Sequence, residues 1–313
     1  MLTKTVIPTL KTDNFKKSYL SNRQDTRAGI TSVGQQDFEI HRRCTWPQTM
    51  NAHRLDKYMI FMLIEGASKH TIGDEQYLVT GNTLCFVSPE MIRSWKSETE
   101  LQNGFVVMFS DMFFYQGCAD KKFLEDLPFF QLGGTPLIEL STEEANEYVS
   151  IFRMMHKEYE NRNDYSSAIL RSQLQLLIHK AHSKLRTNST FTHEKISASI
   201  RLVKNFKKLF TNDFMVLGQG KAILHKNIAE YADALGVTQN HLNDTVKQVT
   251  GRSAGQLIRY HLALHATSCL MHSEKNISEI AYKLGFEDPA YFARFYKNQT
   301  GKSPTEFRVA FHP

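Results

Sequence analysis

The chain is poor in the residues that staple small or exported proteins together. Its 313 residues include four cysteines, Cys44, Cys85, Cys118 and Cys269. They are scattered, without a CxxC spacing or a histidine-rich partner. That argues against a disulfide framework and a structural zinc site, and fits a reducing compartment. The longest apolar run, Met59 to Ile64, is far shorter than the roughly 20 residues that cross a bilayer. The opening MLTKTVIPTLKTDNF lacks the apolar stretch of a signal peptide. The expectation is a cytoplasmic protein with no membrane contact. A P-loop, a GxGxxG and a Ser-His-Asp set are also missing, so no catalytic residue is assigned and no enzyme is expected.

Metal-binding patterns fail in two places. His261 and His265 have the i, i+4 spacing of two ligands, but Leu-Ala-Leu lies between them and the glutamate of HExxH is missing. They are read as a packing contact. In the N-terminal part, His53 is followed by Arg54-Leu55 rather than by a second histidine. The stretch after Ser88-Pro89-Glu90 reads Met91-Ile92-Arg93-Ser94-Trp95, without a histidine. No metal and no cofactor are expected.

What is present is ordinary in bulk and uneven in placement. Hydrophobic residues make up 41% and charged residues 22%, as in a soluble globular protein, and the length suffices for two domains. The net charge is +6. From Lys195 onward there are 16 Lys and Arg against 9 Asp and Glu, or +7, which leaves −1 for the rest. A basic segment beside a neutral one points to a polyanion partner for the basic segment.

Residues 1 to about 35 show no sustained period and read as an arm that could join a sheet. From Phe38 short strands follow. Tyr58–Ile64 ends at Glu65-Gly66, His70–Ile72 at Gly73-Asp74, Tyr77–Val79 at Thr80-Gly81-Asn82, and Thr83–Val87 at Ser88-Pro89. Gly104–Phe109 follows. Strands punctuated this way indicate a sandwich or barrel. From Ser141 the period becomes helical, with an N-cap and an acidic first turn, giving a helix to about Asn161. A second runs from Tyr165 to about Arg186 on the stripe Leu170, Leu174, Leu177, Ala181 and Leu185, widened by Leu176 and Ile178. It could pack on the barrel, pair with a second subunit, or both. The polar Leu185–His193 stretch reads as a linker. Lys195 to Phe210 is an amphipathic helix, followed by a loop over Met215–Lys221.

The strongest signal is an internal repeat. At an offset of 49, Asn227, Ile228, Glu230, Ala232, Leu235 and Gly236 recur as Asn276, Ile277, Glu279, Ala281, Leu284 and Gly285. After one extra turn residue, Lys247, Thr250, Gly251 and Ser253 recur as Lys297, Thr300, Gly301 and Ser303. Each copy reads as two short helices joined at a glycine, the helix-turn-helix pattern. Asp288 suits the N-cap of the last helix and Pro289 its first position. Leu242, Val246 and Val249, with Phe292 and Phe295 or Tyr296, should face the core. Between the copies, Ala254–His272 would form a strut about 28 Å long. Two reading helices on such a strut suit successive major grooves of B-DNA.

The motifs IAEYADALGVTQNHL, TGRSAGQLI and ISEIAYKLGFEDPAYFARFYKNQTGKSP, with Phe307-Arg308, closely resemble the AraC/XylS transcription regulators over about 195–313. The strand pattern over about 52–114 more loosely resembles the cupin domain at the N-terminus of many such regulators. The resemblance implies an α+β chain of two domains. A cupin-like β-barrel sensory domain would span 1–140, a helical pair for dimerisation or linkage 141–188, and an all-α DNA-binding domain 194–313. The latter would hold one helix-turn-helix at 227–251, a linker helix at 254–272 and a second helix-turn-helix at 276–301. It further implies a transcription regulator that binds operator DNA as a homodimer, answers to a small-molecule effector and contacts RNA polymerase, with activation as the expected outcome. By the resemblance, the second helix of each unit reads the groove. The candidates for DNA contact are Gln239, Asn240, Asn243, Ala290, Tyr291 and Arg294, with Lys247 and Lys297 for phosphate; Asn and Gln can pair with adenine and Arg with guanine. Asp244 departs from the arginine common in the family. His53, His70 and Trp95 are candidates for the effector pocket, against ordinary barrel packing. The alternatives are a cupin enzyme with a DNA-binding tail, or a regulator whose barrel only oligomerises.

Overall fold

A computed structural model describes residues 7–10, 37–43, 48–73, 75–89, 91–116, 123–187, 197–218, 225 and 227–311. The chain divides into two compact units, Met1–Lys195 and Ile196–Pro313.

The first unit is built on two five-stranded sheets. In chain order the strands are β1 (Thr9–Leu10), β2 (Phe38–Arg42), β3 (Thr49–Leu55), β4 (Tyr58–Glu65), β5 (Ala67–Ile72), β6 (Glu75–Thr80), β7 (Thr83–Val87), β8 (Arg93–Ser97), β9 (Asn103–Phe109) and β10 (Leu137–Glu139). One sheet has the order β1-β3-β8-β5-β6, the other β10-β7-β4-β9-β2. The long apolar run becomes β4, the central strand of the second sheet, paired antiparallel with β7 and β9. Alternation gives each of its faces a different job. Tyr58, Ile60 and Met62 enter the main hydrophobic core with the helices. The buried Phe61 on the other face meets His70 of the opposite sheet, their ring centroids 4.7 Å apart. The expected arm contributes β1, which runs parallel to β3; the rest of 1–35 lies outside the described residues.

β3 and β8 were not legible as strands, because His53, Arg54 and Arg93 break their apolar pattern although all three are buried. The short helices α1 (Asp111–Tyr115) and α2 (Phe123–Asp126) also went unread; each is about one turn long. The helical pair forms as expected, as α3 (Thr142–Glu160) and α4 (Ser166–Thr187). Ser141 caps α3 in a capping box with Glu144. Leu170, Leu174, Leu177, Ile178, Ala181 and Leu185 share the core with the sheet, and the Arg171 Nε donates to the Phe113 carbonyl at 2.7 Å. Leu176 does not widen that stripe. It is 48% exposed, since at 100° per residue it lies nearly opposite Leu174. The supposed linker starts later than read: Leu185 is buried and Leu185–Thr187 are helical. Residues 188–196 lie outside the described residues.

In the second unit α5 spans Ala198–Gly218. It starts after Lys195 and continues past Phe210, so the loop expected from Met215 is helix up to Gly218. The buried Phe214 extends the stripe of Ile200, Val203, Phe206 and Phe210 by another turn. Residues 219–221 lie outside the described residues. Six helices follow: α6 (Ile228–Ala234), α7 (Gln239–Thr250), α8 (Ala254–His272), α9 (Ile277–Lys283), α10 (Pro289–Thr300) and α11 (Pro304–Phe311).

The repeat is expressed atom by atom. Asn227 caps α6 and Asn276 caps α9, each accepting from a glutamate amide three residues on. Gly236 and Gly285 turn the chain at φ 67° and 82°, and Gly251 and Gly301 end the second helices at 73° and 82°, a region that favours glycine. The Thr250 and Thr300 hydroxyls donate to the Val246 and Tyr296 carbonyls, both at 2.8 Å. Ser253 and Ser303 then accept from the amides of Gln256 and Glu306. Leu242, Val246, Phe292 and Tyr296 are fully buried, whereas Val249 and Phe295 are half-buried.

Candidate nucleic-acid interface and barrel interior

The second helix of each repeat presents one bare face. On α7, Gln239, Asn240, His241, Asp244 and Lys247 are exposed; on α10, Ala290, Tyr291, Arg294 and Lys297 are. With the offset of 50, Asn240 matches Ala290, His241 matches Tyr291, Asp244 matches Arg294 and Lys247 matches Lys297. The buried faces fix this orientation, because Leu242 and Val246 or Phe292 and Tyr296 cannot turn outward. Thr238 caps α7 by accepting from the His241 amide, and Asp288 caps α10 by accepting from the Ala290 amide at 2.9 Å. Asp288 and Pro289 thus take their expected places.

Asn243 is placed differently. It is half-buried, and its Oδ1 accepts from the Ala254 amide at 2.9 Å, tying α7 to the first turn of the strut. Its repeat counterpart is the half-buried Ala293. His241 was missed by residue-type reasoning; its register with Tyr291 is the signal that finds it.

The scaffold behind these helices contains a polar knot that the sequence did not suggest. Asp213 of α5 is 1% exposed, and its Oδ2 accepts from the Tyr231 hydroxyl at 2.7 Å and from the His225 ring at 2.9 Å. It joins α5 to α6. Burial, with the bond to Asp213 next, raises the Tyr231 phenol, so it stays a neutral donor. His261 and His265 on the strut lie against rings of α5, 5.3 Å from Phe210 and 6.3 Å from Phe214 between centroids. The strut itself is the expected 19-residue helix.

In the first unit His53, His70 and Trp95 come together between the sheets, all at most 3% exposed. The His53 ring stands 5.5 Å edge-on to Trp95 and the His70 ring 6.3 Å from it. His53 faces the Asn51 carbonyl through Nδ1 at 2.8 Å and accepts from the Arg93 Nε through Nε2 at 3.1 Å. The two contacts define one neutral tautomer. Burial first, then the Arg93 charge, holds its pKa down to about 3. His70 is bonded to the Ser68 hydroxyl at 2.8 Å and is likewise held to about 3, by burial and then by Arg43 and Arg93. These two arginines, 3% and 2% exposed, are the residues that sequence reading missed. Arg43 lies over Phe61 and Trp95 at 5.4 and 5.8 Å from the ring centroids, and its Nε donates to the Gln102 Oε1 at 2.8 Å. Arg93 spans to the other sheet, with Nη1 2.9 Å from the Met59 sulfur. A separate cavity of about 270 Å³ opens among Asn51, Lys69, Thr71, Gln76, Ser94 and Lys96, with His70 and Trp95 also lining it. By strand alternation it lies on the outer side of the sheet; Arg43 and Arg93 do not line it. Among the described residues no group of three or more His, Cys, Asp or Glu gathers as a metal site, and no helix is long and apolar enough to cross a membrane.

Two known protein families match this two-domain architecture. Residues 35–178 match the AraC-like ligand binding domain, and residues 231–310 match a helix-turn-helix domain. HTH-type transcriptional activator RhaS of Escherichia coli O1:K1 is 23% identical over 274 residues, covering 82% of this chain and 86% of its own; its counterpart in strain SMS-3-5 gives the same figures. Among solved structures, wild-type ToxT of Vibrio cholerae bound to an unsaturated fatty acid aligns over 90% of this chain and 97% of its own, at 14% identity and a TM-score of 0.36. The C-terminal domain of AraT from Geobacillus stearothermophilus aligns over 37% of this chain and 88% of its own, at 22% identity and a TM-score of 0.31. A ligand-binding β-domain followed by a helix-turn-helix domain defines a DNA-binding transcription regulator. The chain belongs to the AraC family, a family of regulators rather than enzymes.

Proposed function

We propose that the protein binds operator DNA through α7 and α10, with Gln239, Asn240, Ala290, Tyr291 and Arg294 at base edges and Lys247 and Lys297 on phosphate. His241 joins this set through its register with Tyr291, and Asn243 serves as the brace to the strut. The observation that carries the reading is the paired exposed faces of the two repeats, held by matching caps and glycine turns. Arg294 has the fork that guanine O6 and N7 accept, while Asp244 in the other copy can only accept, which suits a cytosine amino group. The N-terminal unit takes a small-molecule effector between its sheets and catalyses nothing. The protein works in the cytoplasm as a domain of 1–140, a helical pair over 141–188 and a DNA-binding domain over 194–313. It acts as a homodimer that contacts RNA polymerase, and it activates transcription, as the similar RhaS, a transcriptional activator, does.

Genome-wide mapping of bound sites, followed by gel shifts on the sites found, tests the reading. Arg294→Ala is expected to cost about 1–3 kcal/mol in operator affinity and to relax preference at one base pair. Asn243→Ala should lower thermal stability by about 1 kcal/mol and leave base preference alone. An unchanged affinity and sequence preference for Arg294→Ala would defeat the assignment.

A further inference from the structure

Arg43 and Arg93 are buried between the sheets of the first unit, and the terminal Nη2 of each has no hydrogen-bond partner among the described residues. Among the described residues no carboxylate forms an ion pair with either. The buried Glu39 of β2 is taken by Lys57 at 3.4 Å and by His41 at 3.3 Å. Cys85 supplies no counter-charge, because burial raises its thiol and keeps it neutral. His53 and His70 are neutral at physiological pH, as described above. Burial lowers Arg43 to about 10 and Arg93 to about 9, the neighbouring Arg43 adding to the effect on Arg93. Both remain cations at neutral pH.

Two buried cations that repel one another without an anion are costly. An uncompensated buried charge typically costs several kcal/mol, and each unsatisfied nitrogen adds to that. A fold that keeps such a pair gains nothing from it in the empty state. The pair becomes favourable when an anion supplies the missing acceptors. The surroundings specify what kind. Each guanidinium leaves its Nη2 to donate, and a carboxylate has two oxygens to accept from such charged donors, while the rings of Phe61 and Trp95, over which Arg43 lies, offer an apolar wall.

We propose that the effector is a small organic acid, whose carboxylate docks on the free nitrogens of Arg43 and Arg93 and whose apolar body lies against Phe61 and Trp95. The inference rests on the reading that the N-terminal unit takes a small-molecule effector, and it names the chemical class.

The test is thermal melting of the full-length protein at constant ionic strength, with sodium phenylacetate, the neutral isostere phenylacetamide, sodium phosphate and D-glucose as probes. Wild type should melt higher with phenylacetate and show no such shift with the amide or phosphate. Arg43→Met/Arg93→Met should melt higher than wild type without any probe, because the unpaired charges are gone, and should ignore phenylacetate. Arg93→Lys, which keeps the charge but loses the unsatisfied Nη2 donor, should bind phenylacetate about tenfold more weakly, one step on the affinity scale. Stabilisation by the amide as strong as by the acid, a phosphate response in place of the carboxylate response, or a double variant that responds like wild type would overturn the carboxylate assignment. So would silence towards every probe. Stabilisation of wild type and double variant alike by glucose would overturn it too, while leaving an effector in the barrel standing. A double variant blind to all probes that still regulates its mapped promoters as wild type does would overturn both.

Discussion

At the scale of residues, the same side-chain type does different work according to the neighbours it is given. Asn240 faces solvent while Asn243, three residues on, holds the strut helix. The histidines divide likewise: His241 is exposed, His261 lies against Phe210, and His53 and His70 are neutral between the sheets. The last pair makes stability depend on pH. In the unfolded chain each imidazole titrates near 6.5, in the fold near 3. As the pH falls below 6.5 the unfolded state takes up protons first, and the fold loses up to about 1.4 kcal/mol per pH unit per histidine. Asp111 works in the opposite sense. Burial raises its carboxyl to about 6, so its contribution is full below its unfolded value and is lost as the pH rises through 6. Chemical denaturation at pH 7 and pH 5 should show lower stability at pH 5, and His70→Gln should reduce the difference while His53 keeps its share. An unaltered slope in that variant would contradict the neutral assignment of His70.

At the scale of elements, caps and glycine turns were legible because they act within a few residues. The Ser141–Glu144 capping box and the Asp288-Pro289 start of α10 follow from local hydrogen bonding alone. Where an element depends on distant partners, the signal is lost. β8 carries arginine, serine and lysine, yet it pairs with β3 and β5 because its inward residues meet the other sheet. Gly104 is a further case. A Cβ there would stand 1.9 Å from the Met62 carbonyl oxygen, at a φ of 153°. The close approach of β9 to β4 needs a residue with no side chain. Gly104→Ala should therefore cost about 4 kcal/mol or more, among the larger single-residue effects. Loss of soluble full-length protein, or a melting point lowered by many degrees, is the expected result; an ordinary melt would show that the strands can separate at no cost.

At the scale of the whole molecule, each unit buries its own core, and the apolar surface left over is informative. Tyr165, Ile169 and Leu176 stay 77%, 38% and 48% exposed. At spacings of four and seven, Tyr165 just before α4 and Ile169 and Leu176 within it form a stripe on one side, away from the stripe that packs on the sheet. This is the surface we assign to the proposed homodimer. Leu176→Glu should shift the protein from dimer to monomer in sedimentation velocity without lowering its melting point as a core mutation would. A wild-type monomer, or a variant that remains dimeric, would remove α4 from that role.

The sequence by itself determined the DNA-binding half. Its repeat, caps, turn glycines and strut are written in residues close together in the chain, and the +7 charge from Lys195 onward marks the same half. Only the tertiary structure decided the interior of the other half. Arg43 follows β2, His53 lies on β3, His70 on β5, and Arg93 and Trp95 two residues apart on β8, and nothing in the sequence announces that these segments meet between the sheets. Their burial, neutrality or unpaired charge arises from desolvation by residues distant in sequence, a property that exists only once the two sheets have closed on each other.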